Sequence, residues 1–411
     1  MQDVVLEMKV CILCFGFQAQ NINRQPWRYI FELAKNFIAD GIDAKVISNG
    51  TAVPPFAQVD GVTIRYVDTS DRMLQGSRET LAVLQEENPD AIIVLIGLLG
   101  LLKRKPRLGK PTIAILTSPI YDAGEVLRVA LPELLKHTKL VCTHLLEAIL
   151  PRIALKRGAK FFDRIIVLSA RNRTRLASRG LSLETVDLVK PGIREEDLVL
   201  PSCSEVEAVN AEVAPDGVPI VLYFGAPLTL RGTDTLIQAF AEVADTIPSR
   251  LVIMSRIDDA SSIKEHGMLQ KMVESHGLTD RVVLKSAFLS PGEMKKHICA
   301  ASIVCLPFKL VTSDVPITIL EAMALGKPIV STCLDGIPEL LEGRGIVVTP
   351  GRHKELAKAI INMISNSEAN KRLGEHARDF MLTYPRWQTQ SHEILAMIEK
   401  IVSRRSCEVK P

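Results

Sequence analysis

In the first half of the chain, short apolar runs alternate with longer stretches in which apolar residues recur every three or four positions. The run at 9–17 (KVCILCFGF) predicts a buried strand. Pro26 then precedes a stretch with apolar residues at 27, 30, 31, 33, 34 and 37 and a terminal Gly41, which is typical of a helix and its end. Strand-like runs recur at 44–48, 91–96, 111–116 and 164–168. This alternation predicts a mostly parallel sheet.

The alternation stops at residues 194–218, a polar stretch with two prolines and weak periodicity. It resumes with the apolar runs VPIVLYFG, RLVIMS, RVVLKSAF, ASIVCLPF, KPIVST and GIVVTP, and the pattern from 354 to 403 is almost entirely helical. We therefore predict two α/β domains joined near residue 200. The predicted divisions are an N-terminal domain (1–195), a linker (196–218), a second domain (219–380) and a C-terminal helix (381–411) that could pack back on the first domain.

The apolar runs and the cysteines indicate the cellular compartment of the protein. The longest apolar run, 91–102 (AIIVLIGLLGLL), is shorter than the ~20 residues that a membrane-spanning helix needs. Asp3 and Glu7 precede the first apolar run, so the N-terminus is a poor signal peptide. The eight cysteines are scattered apart from Cys11 and Cys14, which lie in a strand-like run. We expect buried free thiols there, and a reducing cytoplasm fits this usage.

The charge is nearly balanced overall but differs between the two halves. The formal net charge of +3 argues against a dedicated nucleic-acid binder, which should carry a clear basic excess. Residues 1–193 hold 26 Lys+Arg against 19 Asp+Glu, a net of +7, and the remainder holds 24 against 28, a net of −4. This asymmetry is either ordinary surface variation or the mark of an anionic partner for the first domain.

The most specific segment is 314–339 (DVPITILEAMALGKPIVSTCLDGIPE). Its LEAMA (320–324), GKP (326–328) and GIPE (336–339) motifs resemble the signature of the retaining nucleotide-sugar glycosyltransferases of family 4. The resemblance implies the GT-B fold, in which two Rossmann-like domains present parallel sheets across a cleft. It also implies that a nucleotide-diphosphate sugar is the donor, that transfer retains the anomeric configuration, and that no metal or other cofactor is needed.

The resemblance and the local chemistry together point to a donor site at the start of the helix around 316–325. Pro316 suits a first helical turn, and Ser313 or Asp314 could cap it. Free N–H groups there, including that of Ile317, would favour an anion such as a diphosphate. The resemblance implies that Glu321 accepts hydrogen bonds from the ribose hydroxyls. The alternative is a glutamate that only complements the helix dipole.

A second group of donor residues follows the strand VPIVLYFG. Gly225 ends this strand, and Arg231 stands where the family places a phosphate-binding lysine. Arginine can contact two phosphate oxygens at once, although a solvated surface arginine is the alternative. The family's usual arginine after the glycine is Ala226 here. Arg256 and Lys309, each just past a strand end, could replace that charge or could be exposed to solvent.

Other positions depart from the family pattern. Ser313 stands where the family has its first glutamate, and Asp314 could supply a carboxylate to the sugar hydroxyls if the loop shifts by one residue. Gly16 stands alone where the family has two glycines. His144 corresponds to a first-domain histidine that lines the cleft near the sugar, or is a structural histidine. The pair Trp27-Arg28 could face the cleft or only pack the helix start.

Other chemistries lack a motif. No two aspartates are spaced i, i+2, and no HxxxH or second CxxC occurs, so we expect no metal site. The GxG at 343–345 precedes a strand-like run, which is the wrong context for dinucleotide binding. The basic cluster at 103–107 follows the longest apolar run. These two segments form either a membrane-interface element or a core strand with a solvated loop.

The sequence therefore predicts an enzyme that moves a hexosyl group from a nucleotide-diphosphate sugar to an unknown acceptor. Arg231, Asp314 and His144 are the predicted catalytic residues. The acceptor could be anionic or lipid-linked, and the chain could be cytoplasmic with peripheral contact at the inner membrane face. The alternatives are a non-catalytic GT-B sugar-nucleotide-binding or regulatory protein, and a GT-B epimerase or phosphorylase.

Overall fold

The computed structural model describes residues 8–51, 55–70, 74–102, 109–257, 260–286 and 289–408. The predicted basic cluster at 103–107 lies outside these residues. The first domain contains strands β1 (Lys9–Leu13), β2 (Asp43–Asn49), β3 (Phe56–Val59), β4 (Val62–Val67), β5 (Ala91–Ile96), β6 (Thr112–Leu116), β7 (Arg164–Val167) and β8 (Val186–Leu188). Its helices are α1 (Trp27–Ala39), α2 (Arg78–Glu87), α3 (Ala123–Ala148), α4 (Arg152–Ala159) and α5 (Ala170–Ser178).

The first-domain strands form one sheet in the order β3-β4-β2-β1-β5-β6-β7-β8. All neighbouring pairs are parallel except β3 with β4. The apolar run at 91–102 supplies the buried strand β5 and the short helical turn Leu98–Leu102. Its apolar residues therefore belong to the core, because a parallel strand is covered by helices on both faces.

The second domain repeats this construction. Its strands are β9 (Ile220–Gly225), β10 (Arg250–Ser255), β11 (Val282–Ser286), β12 (Ile303–Leu306), β13 (Ile329–Thr332) and β14 (Gly345–Val348). Its helices are α6 (Cys203–Val213), α7 (Thr233–Thr246), α8 (Ala260–Ser275), α9 (Pro291–Ala300), α10 (Ile317–Ala324), α11 (Ile337–Leu341), α12 (His353–Ser365) and α13 (Ser367–Leu382), with α14 (Trp387–Glu408) following. The sheet order is β11-β10-β9-β12-β13-β14, and all pairs are parallel.

Two segments at the ends of the second domain connect it to the first. Within the predicted linker, Ser202 and Glu205 form a capping box that begins α6, and α6 packs against α9. At the other end, α14 packs against α1 of the first domain. There the ring of Trp387 meets that of Tyr29 edge-on, at 5.6 Å between ring centroids. The first domain is thus completed by the last helix of the chain.

The strand order in each sheet explains where a ligand would bind. In each sheet the chain adds strands first on one side of its first strand and then on the other side. That first strand is β1 in one domain and β9 in the other. In open parallel sheets, ligands bind outside the carboxyl ends of the strands at such a switch point. The two switch points place the loop after β1 and the loop after β9 at a cleft between the domains.

Two smaller sequence expectations concern cysteines and membrane spans. Cys11 and Cys14 are buried free thiols in and beside β1. Burial raises the pKa of Cys11 to about 12 and that of Cys14 further still, so neither is a reactive thiolate at neutral pH. Within the ranges described above, no helix is both long enough and apolar enough to cross a membrane.

Candidate functional site

A cleft of about 790 Å³ lies between the two domains and is lined by residues of both. This volume is within the range of pockets that bind small molecules and cofactors. First-domain and connecting residues in the lining include Arg24, Gln25, Arg28, His137, Leu140, Arg194 and Asp197. Second-domain residues include Gly225, Arg231, Arg256, Lys285, Phe308, Ser313, Pro316, Ile317 and Glu321. The second-domain wall therefore contains seven of the residues predicted from the sequence.

Arg231 reaches the cleft because two glycines shape the loop between β9 and α7. Gly225 has a φ of 139°, and a Cβ there would lie 3.0 Å from Nη1 of Arg231. Gly232 has a φ of 77°, and a Cβ there would lie 1.8 Å from the carbonyl oxygen of Pro307. A side chain at Gly225 would strain the backbone and crowd the Arg231 guanidinium, and a side chain at Gly232 would collide with the Pro307 backbone. The Arg231 guanidinium lies over the Phe308 ring, 5.8 Å from its centroid, and lines the cleft.

The start of α10 also lines the cleft, but its N-terminus is not capped as the sequence suggested. Pro316 occupies the N-cap position without a side-chain cap, so neither Ser313 nor Asp314 serves. The first domain supplies the partner instead. Oε1 of Gln25 accepts a hydrogen bond from the N–H of Ile317 at 3.2 Å, and its Nε2 donates to the carbonyl of Val315 at 2.7 Å. One amide side chain thus satisfies two backbone groups of the other domain.

Glu321 faces the cleft from the second turn of α10 and pairs with the first domain. Its Oε1 lies 3.0 Å from Nη1 of Arg28, and Nη2 of Arg28 lies 2.8 Å from Oδ2 of Asp197. The Glu321 side chain is 32% exposed, whereas that of Arg28 is 6% exposed. Burial raises the pKa of Glu321, and the nearby Arg28 charge opposes that rise.

Asp314 lies behind the cleft rather than in its lining. Its exposure is 0%, and Asp335 beside it is 1% exposed. Neither carboxylate has a hydrogen-bond partner at standard geometry, although Ser169 and Asn172 lie close enough to lower the pKa of Asp314. Burial outweighs them and raises that pKa to about 7, and burial together with the Asp314 charge raises the pKa of Asp335. Asp335 also lies 3.7 Å from Nη1 of Arg175. Asp314 is therefore a buried carboxyl at the contact between the domains and does not line the cleft as a sugar-facing carboxylate.

Of the remaining predicted site residues, Arg256 lies at the cleft, whereas Lys309 and Gly16 lie outside its lining. Lys309 is buried and pairs with Asp234 at 2.6 Å. The N–H of Gly16 donates to Oδ1 of Asn49 at 2.7 Å, and a Cβ at Gly16 would lie 3.5 Å from the Trp27 indole. Arg256 is thus better placed than Lys309 to supply the charge missing at Ala226.

The histidine that lines the cleft is His137 rather than His144. His137 has non-helical dihedrals within α3 (φ −129°, ψ 39°), and its Nε2 lies 3.4 Å from Oγ1 of Thr229 in the second domain. His144 is buried, with Nδ1 3.1 Å from Oε2 of Glu147 and its ring edge-on to Tyr121 at 5.1 Å. The kink in α3 at His137 has no signature in the spacing of apolar residues.

Within the part of the chain that the structure covers, no group of three or more His, Cys, Asp or Glu residues could hold a metal ion. The cleft instead gathers basic side chains from both domains, among them Arg24, Arg28, Arg231, Arg256 and Lys285. Acidic neighbours hold some of them: Lys285 pairs with Glu212 at 2.6 Å. Such a lining suits a ligand that carries negative charge.

Two family models match the sequence, one in each half. The model described as Glycosyltransferase Family 4 matches residues 27–197, and the model described as Glycosyl transferases group 1 matches residues 218–366. Alpha-D-kanosaminyltransferase of Streptomyces kanamyceticus is 31% identical over 180 residues, which are 42% of this chain and 45% of that protein. MMP alpha-(1->4)-mannosyltransferase of Mycolicibacterium hassiacum is 25% identical over 188 residues, 45% of this chain and 44% of that protein. The match thus spans just under half the length of these relatives.

Solved structures resemble the whole chain. Sucrose-phosphate synthase from Thermosynechococcus elongatus superposes with a TM-score of 0.75 at 16% identity, covering 97% of this chain and 100% of that one. Anabaena Alr3699/HepE in complex with UDP-glucose superposes with a TM-score of 0.70 at 17% identity, covering 96% and 100%. At these identities the likeness establishes the fold alone, and the fold is that of two facing parallel-sheet domains.

Proposed function

Because the chain belongs to the family 4 glycosyltransferases and has the GT-B fold, we propose that it transfers a hexosyl group from a nucleotide-diphosphate sugar to an acceptor. The observation that carries this proposal is the second-domain wall of the cleft. There Arg231, the start of α10 and Glu321 face one cavity of about 790 Å³. The cationic group and the helix N-terminus suit the diphosphate of such a donor, and the carboxylate suits the hydroxyls of its ribose.

In the proposed mechanism, the protein acts mainly on the leaving group. As the bond between the sugar and the diphosphate breaks, negative charge grows on the diphosphate oxygens. Arg231 and Arg256 would stabilise that charge from fixed positions, so little reorganisation is needed in the transition state. We propose transfer with retention, with the acceptor approaching from the first domain. Contact between the two domains would exclude water and limit hydrolysis of the donor.

We propose uridine as the first base to test, since the Anabaena neighbour is described in complex with UDP and with UDP-glucose. The full chain would be incubated with UDP-, GDP- and ADP-hexoses, and release of free nucleotide would be measured with and without candidate acceptors. We expect one base to support turnover. The anomeric configuration of the product, read by NMR, tests retention. Nucleotide binding without any turnover across the panel would favour the non-catalytic alternative, for which Ser313 and Ala226 are the motivating departures.

Turnover should not depend on a divalent metal. The chain has no DxD motif, and we propose that Arg231 and Arg256 neutralise the diphosphate. The dipole of α10 would assist them, although its first N–H, that of Ile317, is bonded to Gln25. Activity measured with excess EDTA should equal activity measured with Mg²⁺ or Mn²⁺. A loss in EDTA that added metal restores would contradict this assignment of the phosphate contacts.

His137 and His144 should differ in what their replacement damages. We propose that His137 contacts the bound sugar, so His137→Ala should lower kcat/KM by about 3- to 10-fold, as expected for one hydrogen bond. His144→Ala should instead lower the unfolding midpoint, because Glu147 would lose a buried partner worth about 1–3 kcal/mol. Steady-state kinetics and thermal unfolding of both variants separate the two roles. The reverse pattern would restore His144 as the substrate-facing histidine.

We further propose that the acceptor is anionic and that the first domain can meet an anionic lipid surface on the cytoplasmic side. The supporting observation is the surface formed by the end of α3 and by α4. Leu146, Ile149 and Ile153 are 54%, 66% and 66% exposed there. Arg152, Lys156, Arg157 and Lys160 are exposed on the same segment, and residues 148–162 contain no acidic residue. Aliphatic side chains flanked by basic ones are typical of helices that bind the interface of a bilayer.

Removing this surface should reduce vesicle binding. Replacing Arg152, Lys156 and Arg157 with glutamine should weaken partitioning onto phosphatidylserine-containing vesicles about 100-fold, since each basic residue near such a surface is worth about 1 kcal/mol. Sedimentation with vesicles at low and high salt measures the effect. Ile263→Ser, at a 61% exposed position of the second domain, is the control and should change nothing. Equal binding to neutral and anionic vesicles would rule out the membrane proposal while leaving a soluble anionic acceptor.

A further inference from the structure

The cleft contains an ion pair between the domains, and the donor assignment uses only its second-domain partner, Glu321. Arg28 lies near the start of α1 in the first domain, and Glu321 lies on α10 in the second. Their side chains meet at 3.0 Å, and the other Arg28 nitrogen meets Asp197 at 2.8 Å. The guanidinium is therefore fixed from two sides, by the second domain and by the connecting segment.

The ion pair with Arg28 involves one oxygen of Glu321, Oε1. A carboxylate has four lone-pair positions, so an arginine on one side leaves positions for hydroxyl donors on the other. Glu321 keeps 32% of its side chain exposed and lines the cleft. Arg28 is 6% exposed, so it supports the carboxylate from behind while a ligand can approach from the front.

We propose that Arg28 is a positioning residue of the ribose site. A first-domain arginine would then orient the second-domain carboxylate, that of Glu321, that binds the ribose. This inference rests on the proposed function, because it assumes that Glu321 accepts the ribose hydroxyls. Arg28 holds the carboxylate in place, and its positive charge favours the ionised form. Ribose binding then depends on contact between the domains, because the two partners belong to different domains.

The surrounding charges define how the pair should respond to pH. Arg28 and Arg194 are the cations facing Glu321, and Asp197 is the acidic neighbour. Glu32, on α1, forms an ion pair with Arg194 and also acts on Arg28. Burial and Asp197 raise the pKa of Glu321, whereas Arg28 lowers it and Arg194 does so to a smaller extent. Without Arg28, the carboxylate should take up a proton at a higher pH and become a weaker acceptor for ribose.

The test measures nucleotide affinity as a function of pH. Calorimetry with UDP, or with GDP or ADP if UDP does not bind, would be run between pH 5.5 and 8.5 on the full chain. Arg28→Gln should weaken binding at pH 7 by about tenfold or more, the effect of losing a charged hydrogen bond. The pH at which affinity falls should move upward. Arg28→Lys should restore part of the affinity and return the pH profile toward that of the wild type.

Three controls make the outcome specific. Glu321→Gln removes the titrating group, so adding Arg28→Gln to it should cost little further affinity. Lys35→Gln, at a half-exposed cation on the same helix, should leave affinity and pH profile unchanged. Circular dichroism and thermal unfolding check that each variant is folded. Ionisation of the nucleotide phosphates contributes equally to every variant and cancels in the comparison.

The remaining outcomes separate this inference from the function it rests on. If Glu321→Gln weakens binding and Arg28→Gln does not, or shifts no pH profile, Arg28 has no positioning role. If Arg28→Gln tightens nucleotide binding, the arginine competes with the ribose for the Glu321 carboxylate. Arg28 would then oppose nucleotide binding, and the inference would be wrong. If Glu321→Gln leaves affinity unchanged, or if no nucleotide binds, the assignment of the ribose site itself fails.

Discussion

Replacing Arg231 with alanine should lower kcat by about 10²- to 10³-fold, the effect typical of removing one fixed donor to a developing charge. KM should change less, because the diphosphate carries its full charge only after the sugar bond has broken. The arginine lies over Phe308 and beside Gly225, so it is already in place before the reaction begins. Initial rates with the donor that supports turnover measure the effect.

Two further variants test the Arg231 interpretation. Arg231→Lys keeps the charge and loses the fork of donors, so its rate should lie between those of the wild type and the alanine variant. Arg372→Ala removes an exposed arginine on α13 and should leave kcat unchanged. A fall in kcat/KM caused only by KM would mean that Arg231 binds the ground state and the leaving group equally. An unchanged rate would remove Arg231 from the site.

Replacing Asp314 with asparagine should stabilise the chain at pH 8 by up to about 4 kcal/mol and have little effect at pH 4. Burial raises the pKa of this carboxyl from 3.8 to about 7 in the folded chain. The stability linked to this group is therefore complete below pH 4 and is lost as pH rises toward 7, because the unfolded chain releases the proton first. Three pKa units at about 1.4 kcal/mol each give the upper bound.

Urea unfolding at pH 4, 6 and 8 measures this dependence. The difference between Asp314→Asn and the wild type should grow from pH 4 to 7 and level off above it. Asp245→Asn, at an exposed position of α7, is the matched control and should show no such trend. A difference that stays constant over this range would mean that Asp314 does not hold a proton in the folded chain.

The family and the fold class were predictable from sequence, and both predictions are confirmed. The reason is local: the LEAMA, GKP and GIPE motifs lie within 26 consecutive residues, from Asp314 to Glu339. Each predicted strand-like run also coincides with a strand, because a buried parallel strand needs an unbroken apolar run. The strands β3, β4 and β8 were not predicted. The motifs and the apolar runs are each formed by residues close together in the sequence, so the sequence alone reveals them.

The features that sequence reasoning missed depend on contacts between distant residues. Gln25 is some 290 residues from the α10 backbone that it caps. Asp314 looks like an exposed loop carboxylate until first-domain residues such as Ser169 cover it. The presence of His137 rather than the predicted His144 in the cleft lining could not be read from the sequence for a different reason. It depends on a kink in α3, and apolar periodicity does not register a break in backbone dihedrals.

The return of α14 to the first domain means that the chain passes between the domains twice, and the two passages touch. Ile193 on the outgoing segment forms a parallel bridge with Arg386 on the returning one, and its N–H donates to the carbonyl of Pro385 at 3.1 Å. Gly192 allows this approach, since a Cβ there would lie 2.3 Å from the backbone nitrogen of Trp387. The domains are therefore joined by two adjacent backbone segments rather than by a single linker. Any change in the angle between the domains must bend both segments at the same place, next to the bridge between Ile193 and Arg386.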